Sequence, residues 1–252
     1  MNKSFLNNKN PMLTVMLQCE TPEVAIGRIR NANCLGADAY GLQVESLKTE
    51  FQNPDTFKRI FAEMKDKPCY VTNYRYAYNQ KLTDDELAQG IITLAESGAT
   101  LCDVMGDIFC KHPEELTDNE EAIQKQMELI EKLHSLGAEV LMSSHLYKFA
   151  PAERVLQIAF EQKRRGADII KIVTAADTME QQIENLRITN LLKQELGAPF
   201  LFLSGGVSTI HRRLGMKLGC CMSLCVYEHD ALSTASQPLL SIMKKIRDDI
   251  DF

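Results

Sequence analysis

Short apolar runs alternate along the chain with longer stretches in which apolar residues recur every three or four positions. Six of the runs open on a glycine, usually followed by alanine: GADAYGLQV from Gly36, GATLCDVM from Gly98, GAEVLMSS from Gly137, GADIIKIV from Gly166, GAPFLFLS from Gly197 and GCCMSLCV from Gly219. Two more, LTVMLQC from Leu13 and CYVTNY from Cys69, share the composition without the glycine. None alternates cleanly with polar residues, which is the pattern of strands covered on both faces of a parallel sheet.

The intervening stretches read as amphipathic helices: PEVAIGRIRNANCL, DDELAQGIITLAES, EEAIQKQMELIEKLHSL, PAERVLQIAFEQKRR and MEQQIENLRITNLLKQEL. Pro22, Pro151 and the Asp84-Asp85 pair mark helix starts, and the glycine after each stretch sits where a helix end needs a left-handed residue. Eight strand–helix units in 252 residues predict an α/β fold, a single-domain (β/α)8 TIM barrel. The competing doubly wound sheet usually has fewer strands, and no Gly-rich nucleotide fingerprint follows the first strand. The barrel is expected over residues 13–252. Residues 1–12 are expected to form a polar arm, loose or strapped across the barrel bottom.

With 45% hydrophobic and 25% charged residues, the chain can build its core without disulfides. Its net charge of −6, with no basic block, argues against a nucleic acid partner. The opening MNKSFLNNKN lacks the apolar run of a signal peptide, and no stretch approaches the ~20 apolar residues of a membrane span. A cytoplasmic protein with no membrane partner and eight free thiols is therefore expected. The oligomeric state is left open between a monomer and a homodimer.

In such a barrel, chemistry collects at the C-terminal strand ends. The polar residues there are Glu20, Gln43, Arg75, Asp103, Ser143 to His145, Lys171, Ser204 and the loop after Tyr227. Lys171 stands out among Ile169, Ile170, Ile172 and Val173, because a buried ammonium loses hydration. It is either ion-paired for structure or kept as a nucleophile. His145 closes the preceding run, so adjacent strands bring an imidazole and an amine to one mouth, as an acid/base and a nucleophile would stand. His211 is a further candidate for the mouth, whereas His112, His134 and His229 read as surface residues. Cys102, Cys110, Cys220, Cys221 and Cys225 lack paired metal-ligand spacing, and no metal is expected.

These segments resemble the type I 3-dehydroquinate dehydratases, (β/α)8 enzymes that form a Schiff base. VLMSSHLYKFAP is similar to that family's strand with the catalytic His, and RRGADIIKIV to its strand with the imine-forming Lys. SGGVSTIHRRLG resembles a loop ending in a substrate-binding Arg, here Arg212. LSTASQ resembles the last substrate loop, with Ser233 and Gln237 as contacts. The resemblance implies loss of water from 3-dehydroquinate, with Lys171 forming the imine and His145 moving protons. No cofactor is implied, and the partner is a small keto acid.

The departures fall at the substrate's hydroxyl end. Gly41-Leu42-Gln43 stands for the family's Glu-Trp-Arg, which leaves Gln43 as the expected substrate contact there. Tyr74-Arg75 with Asn79 stands for Phe-Arg and a Glu beside the His, so Arg75 is expected in the substrate site and the carboxylate is expected to be missing. Gly41→Glu with Gln43→Arg is expected to restore family-like recognition. A related keto acid, or a silent barrel that binds a carboxylate, remain the alternatives.

Overall fold

The computed structural model describes residues 3–6, 8–206 and 210–250. Its eight parallel strands are β1 Met12–Leu17, β2 Ala39–Gln43, β3 Cys69–Thr72, β4 Leu101–Met105, β5 Glu139–His145, β6 Ile169–Ala176, β7 Phe200–Gly206 and β8 Met222–Cys225. They follow one another around the sheet, with β8 returning to pair with β1, so the architecture is the single-domain (β/α)8 barrel. No strand ladder joins β7 to β8 among the described residues. That junction carries the Cys221 N–H donated to the Phe200 carbonyl at 2.9 Å.

The helices α1 Pro22–Cys34, α2 Pro54–Glu63, α3 Asp84–Glu96, α4 Glu120–Ser135, α5 Ala152–Arg164, α6 Met179–Glu195, α7 Ile210–Leu214 and α8 Leu240–Asp249 surround the strands. The starts read from Pro22 and Asp84 hold, the latter reinforced by a reciprocal cap in which Thr83 and Glu86 satisfy each other's backbone N–H groups. The glycines of the repeat do what their spacing requires. Gly98 at φ +107° and Gly219 at φ +127° turn the chain from helix into strand through backbone space a side chain would strain. The three helices without a clear sequence pattern are α2, α7 and α8. The first is fixed by Asn53, whose side chain caps Thr56 N–H ahead of Pro54.

The arm is tied to the barrel bottom: Phe5 is buried, and its N–H and the Ser4 hydroxyl both bond the Glu139 carboxylate at the start of β5. No described helix is long and apolar enough to cross a membrane. Along β6, Ile170 and Ile172 are buried on the helix side, whereas Lys171 and Val173 face the barrel's upper cavity. The strand period of two thus decides which residues become chemistry.

Candidate active site

Lys171 lies opposite Ser143 of β5 and is only 4% exposed. Its backbone is held by the buried Gln162 of α5, which accepts the Lys171 N–H and donates to the Lys171 carbonyl, both at 3.2 Å. The ammonium donates to Tyr74 Oη at 2.7 Å, Tyr70 Oη at 3.0 Å and Asp103 Oδ2 at 3.1 Å, which occupies all three of its protons. Both phenols donate in turn to the same Asp103 oxygen, and Ser143 Oγ donates to the other at 2.6 Å. Burial, then the Asp103 charge, hold both phenols well above their ordinary range, so they remain protonated.

His145 ends β5 with its Nδ1 at 2.6 Å from Glu115, which also accepts the His145 backbone N–H at 3.2 Å. With Nδ1 at the carboxylate, Nε2 is left as the ring nitrogen that can exchange a proton with a ligand. The loop after β4 is built to present Glu115. Glu115 sits at φ +47°, and its carbonyl accepts from Ser144 Oγ at 2.8 Å. A Cβ on Gly106 would meet that carbonyl at 2.4 Å, so only glycine lets the loop close this tightly. Buried Arg165 pins the same loop through the Gly106 and Thr117 carbonyls, at 3.2 and 2.6 Å. Tyr147, 78% exposed, stacks on the His145 ring with centroids 6.1 Å apart. Each residue of the Ser143-Ser144-His145 run therefore has a separate partner: Asp103, the Glu115 carbonyl and the Glu115 carboxylate.

Lys171 and His145 open into one cavity of about 560 Å³. Met16, Val173, Leu203 and Leu224 form its apolar wall, and Gln43, Arg212 and Gln237 bring polar groups to it. Arg212 donates its Nε–H to the Ser204 carbonyl at 3.0 Å and has no carboxylate partner among the described residues. Burial pushes its guanidinium down to about 10. A cation held without its counter-ion suits an anionic ligand. The amide oxygens of Gln43 and Gln237 and the Thr174 hydroxyl oxygen are buried there without partners among the described residues, leaving acceptors for a ligand's donors.

Five of the residues expected from sequence thus surround one space: Lys171, His145, Arg212, Gln237 and Gln43. Arg75 and Ser233 do not line this cavity. The Arg75 guanidinium bridges Asp84, at 2.6 and 2.9 Å, and Asp107, at 2.7 Å, and Arg75 lines an adjoining cavity of about 420 Å³ that shares Gln43, Tyr74 and His145 with the first. Tyr74, one residue earlier, faces the site instead. The Ser233 hydroxyl is turned into its own loop, where it donates to the Asp230 carbonyl at 3.0 Å, while Thr234 and Ser236 line the cavity. His211 is buried against Phe202 and bonded to Thr189 at 2.8 Å, with burial pushing it down to about 3, so it belongs to the core and not to the mouth. Residues 207–209 of the loop before Arg212 lie outside the described residues.

Two expectations about the hydroxyl end change. Asn79 donates to Asn73 at 2.7 Å in a buried pair, and the carboxylate expected to be missing beside His145 is supplied by Glu115. A Cβ on Gly41 would stand 2.3 Å from the Met16 sulfur and 3.0 Å from the Tyr70 ring, so a longer side chain enters only where the end of Met16 moves aside. Gly41→Glu, with or without Gln43→Arg, is therefore expected to cost about 1–3 kcal/mol of stability by overpacking. Denaturant midpoints check this, and an unshifted midpoint would mean that Met16 yields freely.

Residues 13–248 match the family model described as type I 3-dehydroquinase. A curated 3-dehydroquinate dehydratase of Geobacillus thermodenitrificans is 26% identical over 148 residues, 58% of this chain. The alignment spans about half the length of that relative, 52%. Among solved structures, 3-dehydroquinate dehydratase from Geobacillus kaustophilus superposes with a TM-score of 0.83 at 16% identity, over 98% of this chain and 95% of the other. The type I enzyme from Clostridium difficile with covalently modified comenic acid gives a TM-score of 0.80 at 17% identity, over 96% and 95%.

Proposed function

The chain belongs to the type I 3-dehydroquinase family, and from that premise we propose that it is a Schiff-base dehydratase converting 3-dehydroquinate to 3-dehydroshikimate. The observation that carries the reading is the pairing of a buried amine, Lys171, with a carboxylate-held imidazole, His145, on one cavity that also holds the uncompensated Arg212. Lys171 Nζ attacks the ketone carbon, and water leaves as the C=N bond forms. The protonated imine draws electrons from the neighbouring carbon, whose proton passes to His145 Nε2. The electron pair then expels the β-hydroxyl, which takes the proton back from His145 and departs as water. Hydrolysis of the imine frees the enone and restores Lys171. Arg212 holds the substrate carboxylate, with Gln237 beside it.

The test is borohydride reduction in the presence of 3-dehydroquinate, followed by peptide mapping. One adduct on Lys171 is expected; an adduct on another lysine, or none with any keto acid, would remove the reading. A second reading is favoured by Met16 and Tyr70 filling the space over Gly41 and by Tyr74 facing the site: the preferred substrate is a keto acid with fewer hydroxyls than 3-dehydroquinate. Higher kcat/KM for such an acid decides for it.

Arg212→Ala is expected to raise KM for the keto carboxylate by roughly 10- to 150-fold, the equivalent of a charge-assisted hydrogen bond of about 1.5–3 kcal/mol. The matching amide should lose less. Equal losses for both would take the carboxylate away from Arg212.

A further inference from the structure

The three hydrogen bonds of Lys171 raise a problem for any carbonyl chemistry at that nitrogen. An ammonium that donates all its protons has no lone pair to offer, so attack requires a place for a proton to go, and imine formation requires an acid to protonate the departing oxygen. His145 serves carbon–proton transfer in the reading above. The groups that touch Lys171 Nζ are Tyr70, Tyr74 and Asp103.

Of these, Asp103 and Tyr70 are almost fully buried, Tyr70 lining the cavity with no exposed surface, while Tyr74 lines it and is only partly buried. Its hydroxyl touches Lys171 Nζ at 2.7 Å, donates to Asp103 and lies 3.3 Å from Ser143 Oγ, and its ring meets His145 edge-on with centroids 5.6 Å apart. A ketone oxygen over Lys171 would displace the ammonium from this hydroxyl and take the hydroxyl's proton.

Resting on the Schiff-base reading, we propose that Tyr74 is a catalytic residue of imine formation, relaying protons from Lys171 through Asp103 to the oxygen that leaves as water. Lys171 passes one proton to Asp103 and its lone pair forms the C–N bond, while the carbonyl π pair moves to oxygen. Tyr74 protonates that oxygen and is reprotonated by Asp103, giving a carbinolamine with a cationic nitrogen. The nitrogen gives a second proton to Asp103, and Tyr74 delivers it to the hydroxyl as the C–O bond breaks. Both protons lost by nitrogen end on the water released, the product is the protonated imine, and Tyr74 and Asp103 return to their starting states. Burial and the Asp103 charge keep the phenol protonated, so the relay starts with a proton on its oxygen.

The test isolates imine formation from dehydration. Reversible imine formation exchanges the ketone oxygen with solvent, so the enzyme is incubated with 3-dehydroquinate, and separately with the plain keto acid levulinate, in ¹⁸O-labelled water. Exchange is read by mass spectrometry beside the rate of borohydride trapping. Tyr74→Phe is expected to slow both by about 10²-fold or more, the contribution of a positioned acid, while thermal melting stays within a few degrees of the parent. Tyr70→Phe, which removes the fully buried one of the two hydroxyls at the amine, is expected to slow exchange much less. His145→Ala should still be trapped by borohydride while dehydrating about 10²- to 10⁴-fold more slowly.

Parental exchange by Tyr74→Phe, or equal slowing by Tyr70→Phe, overturns the assignment and leaves the Schiff-base reading intact. Absence of exchange and trapping in the parent protein with both acids removes the two together. If Tyr74→Phe is unstable, Tyr74→His, which keeps a proton donor near the same place, must recover part of the exchange rate for the assignment to stand.

Discussion

Lys171→Ala is expected to abolish the borohydride adduct and to lower dehydration by on the order of 10⁶-fold, the scale of removing an enzyme's nucleophile. No neighbouring group can substitute, because the remaining polar side chains at the cavity floor are phenols, a serine and a carboxylate, none of which forms an imine. The substitution also strips Asp103 of its cation and leaves a buried carboxylate with only Tyr70, Tyr74 and Ser143 as donors. Breaking such a pair from one side costs about 3–5 kcal/mol. Lys171→Met with Asp103→Asn removes both charges and is expected to melt closer to the parent. The doubly neutral variant, confirmed folded by circular dichroism, must remain inactive, and appreciable turnover by it would end the covalent mechanism.

His145→Ala should retain the adduct but lose about 10²- to 10⁴-fold in turnover, the usual contribution of a positioned acid/base. Glu115→Gln gives the companion result. It keeps the size of the side chain but replaces a carboxylate 2.6 Å from Nδ1 by an amide that can hold the ring in either tautomer. The charge-assisted bond is worth about 1.5–3 kcal/mol, so a loss of roughly 10- to 150-fold in kcat with little change in KM is expected. In the His145→Ala background the same change should be nearly silent, since the partner it acts through is gone. Additive losses in the double variant would show that Glu115 acts elsewhere.

The fold was legible because it repeats. Each glycine-led run had to leave a helix, enter a strand and be covered on both faces, and that local requirement recurs around the barrel. Lys171 and His145 were legible for a related reason, since a cation or an imidazole among isoleucines and methionines violates the composition of a buried strand. Less legible was which of two neighbours lines the cavity, because one position decides the face. Arg75 and Tyr74 are neighbours just beyond β3, and a shift of one residue exchanges the side chain that lines the cavity of Lys171 for the one that meets Asp84 and Asp107. Ser233 and Thr234 show the same one-position difference in the last loop. Glu115 was missed for a different reason. It lies in an irregular stretch between β4 and α4 with no periodicity, and its bond to His145 spans thirty positions of chain, a contact made by the loop's closure at Gly106 and by Arg165. Met16 over Gly41 is equally invisible in sequence, being a contact between adjacent strands.

The junction between β7 and β8 gives the site a mechanical character. Arg212 follows β7 and Gln237 follows β8, so the two groups that would grip one carboxylate stand on opposite banks of the barrel's least laced seam. A ligand held by both acts as a staple across it. Amide protons of β7 and β8 should then exchange with solvent faster than those of β5 and β6 in the free protein, and slow selectively when the carboxylate is bound. Affinity and the rigidity of the last quarter of the barrel would then become one quantity, because a ligand held by both groups would tie together two strands that no ladder joins among the described residues.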